Sequence, residues 1–134
     1  IYVFGNQNKK LYLQVYDVDK QEWGEAEQLY SLGDNDGGSA YYFQNQIFIC
    51  NSKGMMYIYN PTDRQSNFSK KELKLKNFKM YHDGTDLCIA GGKTETVNHS
   101  RIQSKFDTTS LSWREETTEF LQLGVRGHSL IIKP

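Results

Sequence analysis

A repeated pattern of strand-like segments, in units about 45 residues apart, constrains the fold of this 134-residue chain most. Each unit has an apolar run, then an aromatic residue followed by Asp or Asn, and two of the units have a Trp six positions further on. The paired residues are Tyr16-Asp17, Tyr59-Asn60 and Phe106-Asp107, and the two tryptophans are Trp23 and Trp113. Because one small sheet cannot bury both of its faces alone, this period predicts stacked sheets, as in the blades of a propeller.

Each unit predicts up to four strands, which we name a, b, c and d in chain order. Strand a is predicted at 39–43 and 78–81, and strand b at 1–4, 47–50 and 87–90, where continuous apolarity predicts burial on both faces. Strand c is predicted at 11–16, 55–59 and 101–106, and strand d at 23–25, 72–75 and 113–117. Residues 127–132 predict one further strand a, so the order is bcd, abcd, abcd, a. We therefore predict an all-β chain with about three blades of four-stranded antiparallel sheet, and each Trp buried between blades.

The composition limits the class of partner. Sixteen basic and sixteen acidic residues cancel, so no overall charge favours nucleic acid or an anionic membrane surface. No apolar run approaches the roughly 20 residues that a membrane-spanning helix needs. The first residues, Ile1-Tyr2-Val3, have no feature of a signal peptide, so we expect a cytoplasmic location and a sequence that begins within a strand, as in a fragment.

Catalytic and metal-binding patterns are not recognisable in the sequence. His82, His99 and His128 fall in different contexts, and none has the spacing of a metal site. The loop that starts at Asp34 resembles the start of a calcium loop, but its twelfth position is Asn45 instead of Glu. We expect no catalytic residue, no cofactor and no metal, and interpret both cysteines, at positions 50 and 88, as small buried apolar residues.

The repeat resembles the Kelch repeat, whose signature is a Gly-Gly doublet closing strand b, an aromatic-Asp pair ending strand c and a Trp six residues later. The third unit matches throughout, with Gly91-Gly92, Phe106-Asp107 and Trp113. The first unit has Gly5-Asn6 in place of the doublet, and the second has Asn51-Ser52. The resemblance covers residues 1–134 and implies the C-terminal half of a six-bladed ring. Another polypeptide, either the remaining half or a second copy, would complete that ring.

The resemblance also implies a binding surface. In Kelch domains that bind peptides, the contact residues lie on one rim, in the loops between strands b and c and at the start of strand a. We name this surface the rim, and in this chain it corresponds to Gln7, Asp36, Lys53, Lys76, Lys93 and Arg126. Since four of these six residues are basic, we expect an acidic protein or peptide ligand.

The resemblance implies protein recognition as the function. Many such domains are substrate receptors in BTB–Kelch adaptors of cullin-RING ubiquitin ligases, and others bind actin and the cytoskeleton. A Kelch-containing oxidase is a further alternative. It requires Tyr, Cys and His ligands that converge on a metal at the centre of the ring, whereas Cys50 and Cys88 are predicted inside strands.

Overall fold

The chain folds into β-sheets. The computed structural model describes residues 1–30, 38–51, 55–69, 73, 75–93, 96 and 102–119. These residues form three antiparallel sheets of four strands each, and none of them lies in a helix. The predicted all-β class with three blade-like sheets is confirmed, and it is consistent with part of a β-propeller. The chain divides into two compact units, Ile1–Gly37 and Gly38–Pro134.

The first unit contains one sheet with β2 at its centre. Its strands are β1 (Tyr2–Gln7), β2 (Lys10–Asp17), β3 (Glu22–Trp23) and β4 (Glu27–Tyr30). Both β3 and β4 pair with β2, so together they take the place of the predicted strand d. The β1–β2 turn has left-handed backbone at Asn8 and Lys9, which matches the twist of a two-residue hairpin.

The second unit contains two sheets. One consists of β5 (Gly38–Phe43), β6 (Gln46–Asn51), β7 (Met56–Tyr59) and β8 (Ser66–Phe68), paired in chain order. The other consists of β9 (Lys79–His82), β10 (Leu87–Ala90), β11 (Ile102–Asp107) and β12 (Ser112–Glu119), also paired in chain order. Their strands correspond to the predicted a, b, c and d except for strand d of the first of these sheets, and the third strand b has the predicted bounds, 87–90.

The aromatic-Asp pairs are explained by the turns that follow strand c. The side-chain Oδ1 of Asp17 accepts hydrogen bonds from the backbone N–H groups two and three residues later, and that of Asp107 does the same. Asn60 accepts the first of these bonds. Each turn then has one left-handed residue, at Gln21, Arg64 and Leu111 respectively. The polar residue therefore closes a four-residue loop that fixes where strand d begins.

The core of the second unit lies between its two sheets. It combines side chains of the first sheet, such as Phe48, Met56 and Ile58, with side chains of the second, such as Leu87 and Phe106. The rings of Phe48 and Phe106 meet edge to face across the interface, with centroids 6.0 Å apart. Strands β6 and β10 are buried on both faces from 47 to 50 and from 87 to 90, as their apolar runs predict. Cys50 and Cys88 are both buried and unpaired, which confirms their interpretation as apolar residues.

Three predictions for individual elements are wrong. Strand d of the second repeat unit lies at Ser66–Phe68, earlier than the predicted 72–75, because the Asn60 turn sets its start and Ser66 pairs with Tyr59. Strand β1 is not buried on both faces, since Tyr2 and Val3 are 47% and 43% exposed. Trp23 is 53% exposed and lies against the tilted ring of Tyr16 in its own sheet, so it is not buried as predicted.

Trp113, the other tryptophan, is partly covered by residues of the second compact unit. The Trp113 side chain is half-buried and packs against the core between the two sheets, which is the position expected of a residue between blades. The predicted strand a at 127–132 and part of the turn-rich loop at 33–38 lie outside the described residues.

Candidate functional site

Two of the predicted rim residues are brought together by the fold. Lys76 and Lys93 form an isolated antiparallel bridge, in which each backbone N–H donates to the other residue's carbonyl at 2.9 and 2.8 Å. Residues directly opposite each other in such a pair project their side chains to the same face, about 5 Å apart at Cβ. The backbone bridge therefore places the two lysine side chains on the same face at directly opposite positions.

The other rim residues have different outcomes. Gln7 is exposed at the end of β1 and pairs with Lys10 across the hairpin. It belongs to the first compact unit and is the last residue of strand b, directly before the turn at Asn8 and Lys9, so its membership of the rim stays a prediction. Asp36, Lys53 and Arg126 lie outside the described residues, so their membership of the rim stays a prediction.

Gly92 makes the Lys76–Lys93 bridge possible. Its backbone has a φ of +96°, a conformation that residues with a side chain rarely adopt. A Cβ atom at this position would lie 2.7 Å from the carbonyl oxygen of Lys76, inside the contact distance. The second glycine of the doublet therefore lets the two backbones approach closely enough to exchange both hydrogen bonds.

The position of Lys76 is fixed by the core on both sides of it. Leu75 and Phe78 are both 6% exposed and belong to the core of the second unit. Between them, Asn77 takes a left-handed backbone conformation and Lys76 is exposed. Because its neighbours are anchored, the backbone of Lys76 presents its side chain from a rigid base, which favours recognition.

The connection after β6 begins with Asn51-Ser52 where the third repeat unit has Gly91-Gly92. The side-chain Oδ1 of Asn51 accepts a hydrogen bond from the Met55 backbone N–H at 2.9 Å, and Asn51 donates its own N–H to the Met55 carbonyl at 3.0 Å. Asn51 is buried, and these two hydrogen bonds join the end of β6 to the residue before β7.

The charges of the Lys76–Lys93 pair are not compensated locally. Among the described residues, neither ammonium group has an ion-pair or hydrogen-bond partner. Lys76 is exposed and Lys93 is half-buried, so two positively charged side chains share this face without a carboxylate partner among the described residues. Like charges directly opposite in a sheet destabilise it, and an anion placed between them reverses that effect.

A second cluster of ionised side chains, also in the second compact unit, has no net charge. The Lys105 ammonium donates to Asp83 Oδ2 at 2.9 Å and lies 3.7 Å from Asp86 Oδ2, which is also 3.7 Å from Arg114 Nη2. Hydrogen bonds from the backbone N–H of Asp86, from Lys105 and from the backbone N–H of Thr85 hold the pKa of Asp83 well below its usual range. Because this cluster balances its own charges, it attracts an external anion less than the Lys76–Lys93 pair does.

The described residues contain no group of three or more His, Cys, Asp or Glu side chains that is arranged to hold a metal ion. Burial raises the pKa of both the Cys50 and Cys88 thiols above the ordinary value, so both remain protonated.

No family model matches the chain, and no similar protein was found among curated proteins. In the part of the chain that the structure describes, no helix is long and apolar enough to cross a membrane.

The sequence predicts that Lys76 and Lys93 share one surface but does not identify them as direct neighbours. The pairing of Lys76 with Lys93 continues the register of the β9–β10 hairpin, which pairs Lys79 with Ala90. Extending that register by three residues along each strand gives Lys76 opposite Lys93. The intervening residues are irregular, so the continuation depends on the close approach at Gly92.

Proposed function

We propose that this chain is a Kelch-type recognition module that binds an acidic segment of a partner protein through the rim. The observation that carries the proposal is the Lys76–Lys93 pair, in which two lysines without an ion-pair partner among the described residues occupy directly opposite positions of a backbone bridge. A Glu or Asp side chain between them forms charge-assisted hydrogen bonds and removes their mutual repulsion. Binding, and not catalysis, is the activity that this arrangement supports.

The cellular role follows from the resemblance of the repeats. We propose a substrate-receptor role in a BTB–Kelch adaptor of a cullin-RING ubiquitin ligase, in the cytoplasm. In this role the rim selects the substrate by its acidic segment, and further chain or a second copy supplies the remaining blades. A cytoskeletal role uses the same surface with a different acidic partner.

Charge reversal tests the proposed binding surface. The probe is a fluorescein-labelled peptide of alternating Glu and Gly, and a peptide of alternating Gln and Gly controls for contacts that do not depend on charge. In the double variant Lys76→Glu, Lys93→Glu, affinity for the acidic peptide should fall about tenfold or more at low salt, because each exposed charge contributes up to about 1 kcal/mol and its sign is inverted. The difference should shrink as salt screens the charges.

The chain provides a matched control for this experiment. Lys20 and Arg64 are exposed in the turns between strands c and d, at the opposite end of the strands from the loops between b and c. The double variant Lys20→Glu, Arg64→Glu changes the net charge by the same amount and should bind the peptide more tightly than the first variant. Equal loss in both variants would mean that binding follows net charge alone, and the rim would no longer be the proposed surface.

A further inference from the structure

We draw no further inference here: the strongest candidate, the exposed apolar surface of the first sheet around Ile1, Val3 and Trp23, carries none, because nothing in the described residues shows what covers it.

Discussion

Replacing Gly92 with alanine should weaken both the fold and the candidate binding site. The new Cβ would lie 2.7 Å from the Lys76 carbonyl oxygen and 3.1 and 3.3 Å from side-chain atoms of Leu75. The carbonyl belongs to the backbone and Leu75 is buried in the core, so neither group can move away without a cost. The two strands must separate instead, and the Lys76–Lys93 bridge is lost.

The expected loss in the free energy of unfolding has two parts. Loss of the two backbone hydrogen bonds of the bridge costs about 1 kcal/mol each. Alanine in a left-handed backbone conformation costs about 1–2 kcal/mol more than glycine. Together these terms lower the free energy of unfolding by about 3–4 kcal/mol, which corresponds to a fall in Tm of roughly 12–16 °C for a chain of this size. The labelled acidic peptide should also bind more weakly, because the bridge no longer holds the two lysines opposite each other.

Substitutions at two other glycines separate the cost of the backbone conformation from the cost of losing the bridge. Gly84 has a φ of +102°, but a Cβ added there would have no atom within 4 Å, so Gly84→Ala should cost only the conformational term of about 1–2 kcal/mol. Gly5 lies in β1 with open space around it, and Gly5→Ala should be neutral or slightly stabilising. Thermal unfolding followed by circular dichroism measures all three variants. A loss in Gly92→Ala no larger than that in Gly84→Ala, or an unchanged peptide affinity, would refute the role assigned to the close backbone approach.

Two further predictions concern stability. Trp113→Ala should lower the free energy of unfolding by about 2–3 kcal/mol, below the 3–5 kcal/mol of a fully buried Trp, whereas Trp23→Ala should cost less than about 1 kcal/mol at concentrations where the chain is monomeric. Equal losses in urea unfolding would contradict the packing described. Because the folded state lowers the pKa of Asp83, the unfolded chain binds more protons in acid, and stability should fall as the pH drops below about 4. Asp83→Asn should flatten this dependence between pH 6 and 3, and an unchanged slope would assign it to other carboxyl groups.

Much of the local structure follows from the sequence because its causes are local. The aromatic-Asp pairs predict the ends of strand c, since the carboxylate of Asp17 or Asp107 accepts hydrogen bonds from the turn that follows. The apolar run at 87–90 predicts a buried strand with the observed bounds. The pattern misplaces strand d of the second repeat unit because Ser66 occupies the position at which the other two repeat units have a Trp. The residue that marks the start of strand d is therefore missing there.

The remaining features depend on contacts between distant parts of the chain. Trp23 and Trp113 have the same register and the same kind of aromatic neighbour, yet one is exposed and the other is half-buried against a core. The sequence around each residue contains no information about whether a second sheet covers it. For the candidate site, the resemblance predicts Lys76 and Lys93 as rim residues, while their direct pairing depends on the close backbone approach at Gly92.

The most direct test of the recognition surface is an NMR titration of the isotope-labelled chain with the alternating Glu–Gly peptide. We predict that the largest changes in backbone amide shift occur at Lys76, Gly92 and Lys93, and that they are much smaller with the Gln–Gly peptide. The turns between strands c and d, at the opposite end of the strands, should not shift. Changes that concentrate in those turns, or that are equal for both peptides, would contradict the central claim that the lysine pair recognises an acidic partner.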